Sequence, residues 1–202
     1  MDYEKKIVIS VSGAAEVAHC GPDALNIAKE VGREIAKQGC VLSTGATSGF
    51  PHSSAQGYKE AKGMFSLGLS PAANEKEHTD LYLLPLGSCD SVIFTGFGFP
   101  VRYIMLVKSS DAMILGCGRI GTIHEFTVAF ESNIPVGILE GPWATDKVIR
   151  DILRNSNRTN PNVIFESDPK KMVEKLKEMV KTNTNRKEMG DMGMIEELKA
   201  KV

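Results

Sequence analysis

The residues best placed to do chemistry lie in Gly116-Cys117-Gly118-Arg119-Ile120-Gly121-Thr122, which follows a short apolar run and opens a segment with helical periodicity. A glycine-rich loop between a strand and a helix leaves backbone N–H groups at the helix start pointing outward, where an anion can collect them. Glycine also removes the Cβ that would hold a phosphate off the backbone. Thr122 adds a hydroxyl, and the helix dipole favours negative charge at that end. Gly116, Gly118, Gly121 and Thr122 are therefore candidate phosphate-binding residues. Two other readings fit the same letters. Thr122-Ile123-His124-Glu125 has the spacing of a capping box, in which threonine and glutamate satisfy the helix's own amides. Gly116, Gly118 and Gly121 also match G-x-G-x-x-G. Glu140 ends the next strand, about where an acid holds ribose in a dinucleotide fold, and on that reading the chain is an NAD-dependent oxidoreductase.

Other reactive side chains carry less. His124 adjoins Glu125 but points about 100° away on a helix, which makes it a packing or surface residue before a catalyst. His19, His52 and His78 fall in or beside loops without metal-ligand spacing, so no metal and no resident cofactor is assigned. Cys20, Cys40, Cys89 and Cys117 are spread singly, and the expectation is reduced, mostly buried thiols. No G-x-S-x-G elbow is present.

The elements that must position these residues are legible from periodicity. Strands are expected at 6–12, 40–44, 65–69, 111–115, 135–139 and 162–166, with both LYLLP and SVIFT strand-like inside 81–95. Helices are expected at 22–38 (Pro22 in its first position, Gly39 as its stop), 52–62, 101–108, 122–132, 143–155 and from Pro169 onward. Strands alternating with helices predict a Rossmann-like, doubly wound α/β fold with a largely parallel sheet and helices on both faces. Residues 1–182 read as one domain and 183–202 as a charged C-terminal tail. Ligands of such sheets bind outside the carboxyl ends of the strands, near the point where strand order reverses, which directs attention to the loops 13–21, 45–50 and 116–121.

Composition narrows the partners. In 202 residues, 24 Lys and Arg against 25 Asp and Glu leave a net charge of −1, so no positive field is available to hold a nucleic acid. The apolar run after the first lysines is too short for a membrane span and lacks a small-residue cleavage site, and cytoplasm is the expected location.

Between residues 93 and 139 stand Arg102 at the head of a helix, Ser110-Asp111-Ala112 opening an apolar strand, and then the run from Gly116 to Glu125 with Thr122 and Glu125 three apart. In this order they resemble the LOG family, cytokinin phosphoribohydrolases and their Rossmann-like relatives, whose loop reads G-G-x-G-T-x-x-E. The tract TGFGFPVR, residues 95–102, is most similar to the branch that includes molybdenum-cofactor carrier proteins. The N-terminal half is similar in outline, with Ser12-Gly13 after the first strand and Thr44-Gly45-Ala46-Thr47-Ser48-Gly49 after the second. The likeness spans roughly residues 6–166, and 95–125 is the part specific enough to transfer residues. It implies a nucleotide or phosphorylated cofactor as ligand, with Ser12, Gly13, Gly45 and Gly49 joining the glycine loop around it. In the catalytic branch it implies cleavage of the N-glycosidic bond of nucleoside 5′-monophosphates by an arginine and a glutamate, here Arg102 and Glu125. In the carrier branch it implies a non-catalytic carrier or sensor for a phosphorylated cofactor such as a pterin. It also implies a homodimer or larger assembly. The chemistry is consistent: breaking a ribosyl C–N bond builds positive charge that a carboxylate stabilises, and arginine holds substrate by charge-assisted hydrogen bonds. Two departures bear on the ligand: Cys117 stands at the loop's second glycine position, and Tyr103 follows the arginine.

Overall fold

The computed structural model describes residues 5–183. Its strands are β1 Val8–Ser12, β2 Val41–Thr44, β3 Ser66–Ser70, β4 Ser91–Phe94, β5 Ala112–Leu115, β6 Val136–Leu139 and β7 Val163–Glu166. The helices are α1 Ala24–Lys37, α2 Gly49–Glu60, α3 Gly98–Lys108, α4 Ile120–Glu131, α5 Thr145–Asn155 and α6, 169–183. The strands form one sheet in the order β4-β3-β2-β1-β5-β6-β7, and every neighbouring pair is parallel. This is the expected Rossmann-like α/β fold. Strand order reverses between β1 and β5, and the helices that follow these two strands lie on opposite faces of the sheet, leaving a crevice at the switch point.

The period-two alternation of the strands decides what faces each helical layer. In β5, Ala112 and Ile114 join the core with α1, α2 and α6, while Met113 and Leu115 join the core with α3, α4 and α5. In β1, Ile9 and Val11 face the first layer, which turns Ser10 and Ser12 toward α3 and α4. A buried serine needs a partner there. Ser10 meets Ser110, and Ser12 meets a carboxylate described below.

Several boundaries differ from expectation. Pro22 is not the first helical residue: Gly21 turns the chain at φ +83, and α1 starts at Ala24 after Asp23. The LYLLP run is not a strand. A single π-helical turn, Glu77–Leu81, ends on exposed Leu81 and leads into irregular chain in which Leu83 is exposed and has φ 54. The open side of β3 is taken by β4, and Pro85 cannot donate to a ladder, so apolar composition alone does not make this segment a strand. Helices α2, α3 and α4 each begin two or three residues earlier than their periodicity indicates. Gly121 and Thr122 thus belong to the first turn of α4 rather than to the loop. The expected tail lies outside the described residues except for Asn183, which continues α6. Among the described residues no helix is long and apolar enough to cross a membrane.

Candidate functional site

A cavity of about 320 Å³ opens at the switch point. Ser12 and Gly13 after β1, Gly45 and Thr47 after β2, Phe99, Arg102 and Tyr103 of α3, and Gly121, Thr122 and Glu125 of α4 line it. Its floor is a buried ion pair: Arg102 Nη1 donates to Glu125 Oε1 at 3.2 Å, and both side chains are almost wholly excluded from solvent. The Ser12 hydroxyl donates to Glu125 Oε2 and lies 3.5 Å from Thr122 Oγ1. Glu125 arrives there because it shares the sheet-facing stripe of α4 with Thr122, Phe126, Ala129 and Phe130. Arg102 arrives from α3, which packs beside α4. Gly45 makes room for the guanidinium, since a Cβ at this position would lie 2.1 Å from Arg102 Nη1. The ring of Tyr103 stacks under it at 4.7 Å.

Burial dominates the electrostatics of the pair. Removal from water pushes the Glu125 carboxyl above its ordinary value, with Arg102 and the Ser12 hydrogen bond pulling it back. The same desolvation lowers Arg102, against the attraction of Glu125. Arg102 Nε is buried with no partner, leaving one donor uncommitted beside the cavity.

The first turn of α4 opens onto the cavity. Ile120, Gly121 and Thr122 line the cavity, and amides in a helix's first turn have no carbonyl of their own helix to bond. The capping box does not form: Thr122 is the third residue of the helix, no side chain caps its start, and Glu125 turns to Arg102. The other loop glycines serve the fold. The Gly116 amide bonds Ser12 O at 3.0 Å, and the Gly118 amide bonds Thr145 Oγ1 at 2.8 Å. A Cβ on Gly116 would strike Phe50, and one on Gly118 would strike Thr122. Gly49, at φ +67, packs under the Ala14 and Ala15 carbonyls. The cavity therefore brings together Ser12, Gly13, Gly45, Arg102, Gly121, Thr122 and Glu125, and leaves Gly49, Gly116 and Gly118 behind its walls. Glu140 is outside the lining and pairs with Arg150.

Sequence reasoning missed Thr47 and Phe99 of this lining and read Tyr103 only as a departure. The i, i+4 spacing of Phe99 and Tyr103 around Arg102 was the available signal, since it stacks two rings on the face that carries the guanidinium. The cysteines require a correction. Cys40 and Cys89 are free and buried, but Cys20 and Cys117, 97 residues apart, form a disulfide with Cα atoms 5.7 Å apart. Parallel pairing of β1 with β5 brings the loops after them together, which sequence separation conceals. Cys117 also needs no left-handed backbone at its glycine position.

Known proteins place the fold and site in context. An uncharacterized protein of Archaeoglobus fulgidus is 33% identical over 138 residues, 68% of this chain and 83% of its own. The molybdenum cofactor binding protein of the phototrophic bacterium Rippkaea orientalis is 29% identical, with a TM-score of 0.71 over 88% of this chain and 99% of that one. The molybdenum cofactor carrier protein of Chlamydomonas reinhardtii is 25% identical, with a TM-score of 0.68 over 86% and 98% of the two chains. The LOG-like kinship read from residues 95–125, nearest the carrier branch, holds. Residues 6–173 match the family model throughout the sheet and the start of α6, and the chain belongs to the SLOG cluster4 family.

Proposed function

We propose that the protein binds a phosphorylated, planar-ringed small molecule, in the first place a phosphorylated pterin of the molybdenum-cofactor type, and holds it unchanged as a carrier. The observation that carries this reading is the layout of the cavity. The first turn of α4, the rings of Phe99 and Tyr103, and Arg102 with its unpartnered Nε all border one cavity. The phosphate takes the amides and Thr122, and the ring system stacks on the aromatic pair. A volume of 320 Å³ is at the small end of ligand pockets, about 300–1,000 Å³. The likeness to two molybdenum-cofactor proteins supports the choice of cargo. Exposed Phe97, Val101, Ile104 and Ile120 support the homo-oligomer that the LOG resemblance implies.

Thermal shift and calorimetry with a phosphorylated pterin, its dephosphorylated form, nucleoside 5′-monophosphates and NAD test the reading. The phosphorylated pterin should stabilise most, and equal affinity for the dephosphorylated form would sink the phosphate assignment. NAD should stabilise no better than a mononucleotide, and Glu140→Ala should change neither response, because Glu140 is engaged by Arg150 away from the cavity.

One observation favours a second reading, phosphoribohydrolysis: a carboxylate whose proton affinity is raised by burial faces the cavity beside an arginine. On that reading Glu125 stabilises or activates at the anomeric carbon, and Arg102 holds the sugar phosphate. The expected outcome is binding without base release. If the wild type does release base from a nucleoside 5′-monophosphate, Glu125→Gln should lower turnover roughly 10²–10⁴-fold while nucleotide-induced stabilisation persists.

A further inference from the structure

The Cys20–Cys117 disulfide ties together two walls of the cavity, the segment Ala14 to Glu16 after β1 and the segment Arg119 to Thr122 that opens α4. Both cysteines are buried, and exposed His19 stands against them, its Nε2 at 3.7 Å from Cys20 Sγ and 3.6 Å from Cys117 Sγ. Its other ring nitrogen, Nδ1, is 3.3 Å from an Arg119 guanidinium nitrogen. Arg119 is itself held by Glu16 at 3.4 Å. A guanidinium can only donate, so Nδ1 accepts, and the neutral ring carries its proton on Nε2, facing both sulfurs. An N–H aimed at two sulfurs gains little from a disulfide, whose sulfurs accept weakly, and much from a thiolate. The same three residues bring ligand atoms within 4.8 Å of one another, as a cation site would. A cation on Nε2, however, requires the ring proton on Nδ1, opposite the Arg119 cation.

We propose that Cys20–Cys117 is a site of thiol–disulfide exchange with a dithiol, and that His19 is the positioning residue that receives the leaving thiolate. Residues 15–23 form a mostly exposed loop, and such segments open locally at far lower free energy than a sheet. On opening, a thiolate of the dithiol attacks Cys20 Sγ. A new S–S bond forms, the Cys20–Cys117 bond breaks, and its electron pair stays on Cys117 Sγ, a thiolate that accepts the His19 Nε2 hydrogen bond once the loop recloses. The second thiol of the dithiol attacks its own sulfur in the mixed disulfide, Cys20 leaves and is protonated, and the dithiol departs oxidised. Two electrons and one proton pass to the protein. Cys117 is the leaving group because Cys20 lies on the loop that opens, whereas Cys117 is set just ahead of α4, whose N-terminal dipole also favours a thiolate. None of this depends on which ligand fills the cavity.

The test equilibrates wild-type, His19→Leu and His19→Gln proteins with dithiol redox buffers, counts reduced cysteines by alkylation and mass spectrometry, and follows the fold by circular dichroism. Wild type should be reduced reversibly at Cys20 and Cys117 without loss of fold. His19→Leu should shift the equilibrium roughly tenfold toward the disulfide, about 30 mV for this two-electron couple, and His19→Gln, which keeps an N–H, should recover most of it. Reduction only on global unfolding, or identical potentials in the three proteins, would overturn the proposal.

Discussion

Arg102→Ala should lose about 3–5 kcal/mol of folding stability at neutral pH, the range for removing one partner of a buried ion pair. The substitution leaves Glu125 excluded from water with the Ser12 hydroxyl as its remaining bonded partner, and it empties the space that Gly45 provides for the guanidinium. The deficit should depend on pH, and the sign follows from the direction of the carboxyl's shift. Burial already raises Glu125 above its ordinary value and Arg102 opposes that rise, so losing Arg102 raises it further. A carboxyl with a folded-state pKa above the unfolded one contributes fully below the unfolded value and loses that contribution as pH rises through the folded value. Urea midpoints should therefore show Arg102→Ala closest to wild type near the ordinary carboxylate range and falling progressively behind it above that range. Replacing both members by methionine should recover much of the loss, since an apolar pair leaves no buried charge. A midpoint for Arg102→Ala equal to wild type at every pH would mean that the pair does not hold α3 to α4.

Gly121→Leu should abolish ligand-induced stabilisation, worth about 2.7 kcal/mol at a ligand concentration of 100 Kd, while leaving the protein folded. Gly121 sits in a helical turn, where replacing glycine recovers roughly 0.5–1 kcal/mol of helix propensity. A Cβ there meets the Tyr103 hydroxyl at 2.8 Å, and that side chain is only half-buried and can swing aside. The larger side chain then fills the cavity across the α4 amides. Gly118→Ala should behave in the opposite way. Its Cβ would lie 2.1 Å from Thr122 Oγ1 and push that hydroxyl off the phosphate, so the expected result is a loss of about 1–3 kcal/mol of stability with the ligand response weakened but still present, because the α4 amides stay open. Thermal shift with and without the phosphorylated pterin, beside denaturant midpoints, separates the two glycines. Normal ligand response in folded Gly121→Leu would remove the phosphate from α4.

Much of this architecture was legible because strand and helix periodicity are local. The alternation in Val8–Ser12 and the apolar stripe of Ile120–Glu131 depend on neighbouring residues along the chain, and they locate the strands, the helices and the loops at the carboxyl ends. Arg102 and Glu125 were reached through a motif, and the cavity has both on its floor. The LYLLP segment failed because hydrophobic composition says nothing about whether a pairing edge is vacant.

By itself the sequence determined the βα alternation, the parallel sheet that follows from it, and the family to which the string from Arg102 to Glu125 belongs. Only the tertiary structure decided which members of that string face the cavity. Gly116 and Gly118 spend their amides on Ser12 and Thr145, while Gly121 keeps its place in the first turn of α4. It also decided that Glu125 bonds Arg102 rather than capping its own helix, and that Cys20 meets Cys117. The physical reason is common to all three. Each depends on which groups the packing around the switch point brings together, and a buried polar group takes whichever partner packing leaves within reach.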